Sequence, residues 1–155
     1  MASNVTLSPW STLRHYQTVG ARHQPASYNQ CMPVLSVTRL RVRSCYLVPF
    51  IWLSIVCYRQ AKAANGNIGA SLLNDPNNTF WTCTVWKTEE TMKAFMISGA
   101  HRRAMPRLLN WCDEAALVHW VQGNNERPDW YEAHLGLEHE ARRSKVSHPS
   151  RAVSG

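Results

Sequence analysis

Eight consecutive residues, Thr79-Phe80-Trp81-Thr82-Cys83-Thr84-Val85-Trp86, constrain this chain more than any others. Successive side chains of a strand point to opposite faces. Phe80, Thr82, Thr84 and Trp86 therefore share one face, and Trp81, Cys83 and Val85 share the other. Large aromatics are mostly core residues. A strand with a tryptophan on each face must be covered on both sides, so the chain has to build layers above and below it.

The flanking segments show what those layers are. Val34 to Arg43 is β-branched and alternates from Val37 onward, which predicts a strand with Arg39, Arg41 and Arg43 along one face. Tyr46 to Ala64 predicts one helix, with Pro49 tolerated in its first turn and Asn65-Gly66 as its stop signal. That helix is apolar on nearly every side over its first three turns, whereas a surface helix needs only a stripe. Two readings stay open: burial under a sheet plus a subunit contact, or contact with a membrane surface or an apolar ligand. Gly66 to Leu73 predicts a second strand with a bulge or close approach at Gly69, and Asn74 to Asn78 is turn chemistry.

After the central strand, Thr88 is placed to cap a helix, with Thr91 where a capping box prefers Glu. Met92, Phe95 and Met96 then fall on one helical face. Ser98-Gly99 breaks the helix. Ala100 to Trp111 resumes it, with Met105, Leu108, Leu109 and Cys112 expected inside. Asp113-Glu114 is expected to turn the chain into a fourth strand, Ala115 to Val121. The order β-α-β-β-α-β over residues 33–121 specifies an α+β, ferredoxin-like sandwich. Such a sheet carries helices on one face only. The other face is commonly buried by a second copy, so a dimeric α/β barrel is expected, with a pocket between each sheet and its helices.

Residues 1–31 are polar and without period; they are expected to be an extension outside the domain, with Met32 a candidate start. Residues 122–155 are expected to form a loop, a short helix near Asp129 to Arg142 and an irregular end. The net charge of +7 is concentrated in residues 1–45, where Arg14, Arg22, Arg39, Arg41 and Arg43 meet no acid. Lysine is scarce and the tryptophans sit in apolar patterns, which argues against nucleic acid as a partner. The five cysteines, Cys31, Cys45, Cys57, Cys83 and Cys112, form no CxxC pair. A zinc ribbon is therefore excluded, and a reducing cytoplasmic setting is expected. No apolar run is long enough to span a membrane. Metalloprotease, hydrolase, Rossmann and P-loop motifs are missing.

The segment Thr79 to Lys87, followed by Phe95-Met96-Ile97-Ser98-Gly99-Ala100-His101-Arg102-Arg103-Ala104-Met105-Pro106, resembles the spheroidene-monooxygenase-like branch of the dimeric α/β barrel superfamily. That superfamily also holds the antibiotic-biosynthesis monooxygenases. Trp111 to Ala115 and Ser144 to Ser150 extend the resemblance, which covers about residues 32–150. It implies the dimeric barrel and an oxygenase-like pocket for an apolar, conjugated or phenolic molecule. It also raises haem as a cofactor, while the antibiotic-type members imply a reaction without one, in which the anion of an acidic phenol reduces oxygen directly.

His101 is the most pointed candidate. It follows a helix break whose small residues let a ligand approach and whose next turn offers free N–H groups. Its imidazole could ligate haem iron or act as an acid–base group, or could simply bond a neighbouring carbonyl. Arg102 is grouped with it as a catalytic candidate. Trp81, Trp86, Phe95, Arg103 and His119 are candidates for the pocket wall, with Arg102 or Arg103 available to clamp a carboxylate or a haem propionate. The alternative is a barrel that binds haem or another hydrophobic ligand without catalysis, or a purely structural one. No metal site is expected.

Overall fold

The computed structural model describes residues 32–140, 142–143 and 146–150. The segment 1–31 and the last five residues lie outside the described residues. Strand β1 (Val34–Val42) leads through a short 3-10 turn at Ser44–Tyr46 into helix α1 (Leu47–Ala63). Strands β2 (Asn67–Asp75) and β3 (Thr79–Trp86) follow, then helices α2 (Glu89–Met96) and α3 (Gly99–Trp111), strand β4 (Cys112–Val121), helix α4 (Trp130–Glu140) and the two-residue strand β5 (Arg142–Arg143).

The sheet order is β2-β3-β1-β4-β5, with every pair antiparallel. Because β1 lies between β3 and β4, the two β-α-β halves interleave, which is the ferredoxin-like α+β arrangement. The expected bulge is present: the β2–β3 register shifts between Asn67 and Gly69. Asn77 and Asn78 close the hairpin with φ of 59° and 56°, a left-handed conformation that asparagine tolerates. Gly66, at φ +82°, ends α1; a Cβ there would lie 2.6 Å from the Thr91 side chain.

Two local expectations are corrected, and the expected Thr88 cap is borne out. Asp113 and Glu114 do not turn the chain. They lie inside β4, where Glu114 pairs with Arg41 across the ladder. Their charges are neutralised there: Arg39 Nη1 lies 2.7 Å from Glu114 and Arg41 Nε 2.8 Å from Asp113. Leu109 is not buried but 45% exposed, because Ala100 and Ala104 make the buried row of α3. Thr91 closes the capping box of α2 without needing a Glu. Thr88 Oγ1 accepts from Thr91 N at 3.3 Å, and Thr91 Oγ1 accepts from Thr88 N at 3.4 Å.

The sheet has two covered faces. Val34 and Trp86 pack with Ala61, Met92 and Phe95 beneath the helices α1 and α2. On the opposite face Leu35, Val37, Trp81, Cys83, Val85 and Val118 pack against Ala133 and Leu137 of α4. The tail helix thus supplies cover that the sequence assigns to a second copy. Among the described residues no helix is long and apolar enough to cross a membrane.

Candidate functional site

Between the sheet and the helices α1 to α3 lies a cavity of about 950 Å³. Its floor is the helix-side row of the sheet: Ser36, Thr38 and Leu40 of β1, Thr82, Thr84 and Trp86 of β3, and Ala115, Leu117 and His119 of β4. Phe50, Leu53, Ser54, Cys57 and Tyr58 of α1 form one wall. Phe95 and Met96 of α2 with His101, Met105, Leu108 and Leu109 of α3 form another, and Val146 closes an end. None of the described lining residues is Asp, Glu, Lys or Arg. Small hydroxyl residues at strand centres leave the room: a Ser-Thr-Thr-Thr floor is shorter than the Val-Trp-Cys-Val row on the opposite face.

The polar floor is partly self-satisfied. Trp86 Nε1 donates to Thr84 Oγ1 at 2.9 Å, which holds the indole flat against Phe95, 5.0 Å between ring centroids. Phe95 in turn meets the His101 ring at 4.6 Å. His101 Nδ1 lies 3.0 Å from the Met96 carbonyl oxygen. A carbonyl only accepts, so the neutral ring carries its proton on Nδ1 and keeps the lone pair on Nε2. Burial lowers the His101 pKa below the usual imidazole value, opposed by the Met96 carbonyl. The ring is therefore neutral at pH 7. Cys57 is held as a thiol: burial pushes its pKa up, against the nearby charge of Arg103.

The sequence-predicted residues divide into two groups. Trp86, Phe95, His101 and His119 come together on the cavity. Trp81 does not: the alternation of β3 puts it on the α4 side, where Nε1 donates to Asp75 at 2.8 Å and the ring meets His134 at 5.5 Å. Arg102 and Arg103 are exposed and line no part of the cavity. The helical rotation that turns Ala100 and Ala104 inward carries both arginines out.

The free N–H groups expected after the helix break are also taken. Gln60 Oε1 accepts from Ala100 N at 2.7 Å and from His101 N at 3.1 Å. Its Nε2 donates to Ser98 O and Oγ at 3.1 and 2.9 Å. Ser98, the N-cap residue, makes no side-chain cap bond of its own, so a glutamine from α1 caps α3 in trans. The left-handed Gly99, at φ +49°, makes room for it; a Cβ would come within 2.8 Å of the glutamine amide. Sequence reasoning missed Gln60, since nothing local marks a residue 38 positions away as a cap. It also missed Val146, which the Ser147 N to Leu109 O bond of 2.8 Å holds against the cavity.

The residues present do not fit haem well. Imidazoles are there, but the propionates would find no cation among the described lining residues, since the exposed Arg102 and Arg103 are not part of it. Among the described residues no cluster of His, Cys, Asp and Glu could hold a metal ion.

A family model described as "Domain of unknown function (DUF3291)" matches residues 55–146. No curated protein matches the chain. Among solved structures, a conserved protein from Methanosarcina mazei Go1 superposes with a TM-score of 0.53 at 15% identity, covering 58% of this chain and 92% of that one. SnoaB from Streptomyces nogalater, a cofactor-independent oxygenase, gives 0.51 at 13% identity over 59% of this chain and 94% of its own. An antibiotic biosynthesis monooxygenase gives 0.51 at 9% identity over 56% and 94%. At these identities the likeness is one of fold, and that fold is the one the antibiotic-monooxygenase resemblance implies.

Proposed function

Since the chain belongs to the DUF3291 family, whose description names no reaction, we propose its function from the cavity: it binds one uncharged, largely apolar molecule, conjugated or phenolic, and oxygenates it. The observation that carries this is the large cavity with no charged residue among its described lining, and with the His101 ring fixed there through Nδ1. An ionic ligand would be stripped of water there with nothing to pair it. A neutral aromatic one exchanges water for Phe95, Trp86 and Leu108.

His101 Nε2 is the base this reading requires. With its pKa lowered, it can accept a proton only from an acidic hydroxyl, such as a phenol conjugated to a carbonyl. The resulting anion can supply the electrons itself. A methylene flanked by conjugated rings becomes a carbonyl as dioxygen gives one atom to the product and the other leaves as water with the two methylene hydrogens. No external reductant enters that balance. Two members of the same fold are described as oxygenases, one as cofactor-independent, which supports the class of reaction. A homodimer, also part of this reading, would have to seat on or beside α4.

Dithranol, a tricyclic phenol with such a methylene, is the test. It should quench tryptophan emission and drive oxygen uptake. His101→Leu should keep the quenching and slow uptake about a hundredfold. Quenching without uptake in the unaltered protein would leave binding alone as the function; unaltered uptake in His101→Leu would remove the base.

A further inference from the structure

We propose that the outer face of α1 and α3 docks on an anionic lipid surface. The inward side of α1 is satisfied by Phe50, Leu53 and Ala61, all buried. Its outward side is a second apolar row: Val48 is 81% exposed, Trp52 65%, and Ile51 and Ile55 45% each. At 100° per residue these four fall within an arc of about 100°. Arg59 and Lys62, both exposed, continue the same arc toward the helix end. A row of this kind, with a tryptophan among aliphatics and cations at one end, matches a helix lying in the plane of a bilayer interface. The helix has 17 residues and is not a spanning segment.

α3 completes the charge. It runs antiparallel to α1, since Gln60 meets Ser98 at one end and Tyr46 stacks on Trp111 at the other, 5.9 Å between centroids. Arg103 thereby lies beside Cys57, and Arg107 follows one turn on. α1 and α3 together carry Arg59, Lys62, Arg102, Arg103 and Arg107 and no carboxylate. The acids of β4 cannot neutralise them, because Asp113 and Glu114 are bound to Arg39 and Arg41. Charge decides the occupant. A second copy packed on this face would bring two cationic rims together with no carboxylate on either helix to pair them. Lipid phosphates would pair Arg59, Lys62, Arg103 and Arg107, and acyl chains would take Trp52 and Ile51.

The claim is independent of the proposed oxygenation, because it is read without any cavity ligand. The full chain is floated with vesicles of phosphatidylcholine alone and of phosphatidylcholine mixed with phosphatidylglycerol. Binding to the mixed vesicles only, lost as salt is raised, is the expected result. Arg59→Gln with Arg103→Gln should weaken it about 25-fold, near fivefold for each cation. Ile51→Gln with Trp52→Gln should abolish it while the circular dichroism and melting temperature stay unchanged, since both side chains are exposed. Failure to float with the anionic vesicles, equal flotation with both kinds, or insensitivity to the arginine pair would each overturn the proposal. So would a doubled mass in solution that Ile51→Gln with Trp52→Gln removes while vesicles go unbound, which would make the face a contact between copies.

Discussion

Gln60→Ala removes the cap that α1 supplies to α3, and its cost can be worked from the four bonds. Two run to N–H groups of the first turn of α3, at 2.7 and 3.1 Å, and these have no intrahelical partner. Losing a side-chain cap costs about 0.5–2 kcal/mol. The two bonds to Ser98 are exposed and water can replace them, so they add little. The sum is about 1–2 kcal/mol, or roughly 4–8 °C in melting temperature for a domain of this size. Urea unfolding followed by circular dichroism measures it. Gln60→Glu keeps the oxygen that accepts from Ala100 N and His101 N and adds negative charge at a helix N-terminus, while losing the donor to the exposed Ser98, so it should recover part of the loss. Because the glutamine also holds the backbone of His101, Gln60→Ala should slow any His101-dependent oxygen uptake more than it weakens ligand binding. A Gln60→Ala protein as stable as the parent, or a Gln60→Glu protein as unstable as the alanine variant, would refute the reasoning.

Gly66→Ala should cost about 2–4 kcal/mol by urea titration, from the left-handed φ of +82° and from a Cβ forced against Thr91, whose hydroxyl closes the α2 cap. Glu114→Gln should cost about 1–2 kcal/mol, because it leaves Arg39 and Arg41 facing a neutral amide at a partly buried position. Burial alone would raise the Glu114 pKa, but hydrogen bonds from Arg39 and Ser150 and the arginine charges hold it low. Its contribution is therefore present above the ordinary carboxylate range and lost as pH falls through the lowered value, and the acid-unfolding curve of Glu114→Gln should be flatter there. His101 has a lowered pKa, so the unfolded chain takes up its proton first. Stability should fall as pH drops below about 6.5, and His101→Phe should remove that step from a urea-midpoint series. Haem titrated into the protein should give no Soret shift that His101→Ala abolishes, because the described cavity lining offers the propionates no cation; a shift that depends on His101 would refute this.

The sequence by itself determined the elements and their order. Strand alternation and helical periodicity are local, so β3 is read to the residue, α1 nearly so, and the interleaved topology follows from the order. It also determined that both faces of β3 are covered. Which face is which depends on neighbours far along the chain. Trp81 and Trp86 look alike in sequence, and only the packing of α4 against one side and α2 against the other separates wall from cavity. Arg102 and Arg103 beside His101 read as one cluster, yet consecutive helical residues are turned about 100° apart, and the tertiary seating of Ala100 and Ala104 decides which of them face inward. Asp113-Glu114 carries turn chemistry until Arg39 and Arg41 of β1 pair with it across 72 to 75 residues. Gln60 reaches α3 across 38 to 41 residues, and the Ser147 bond to Leu109 brings Val146 to the cavity from beyond β4 and α4. Such contacts leave no periodic trace, because a side chain that closes a long loop needs only to be in the right place once.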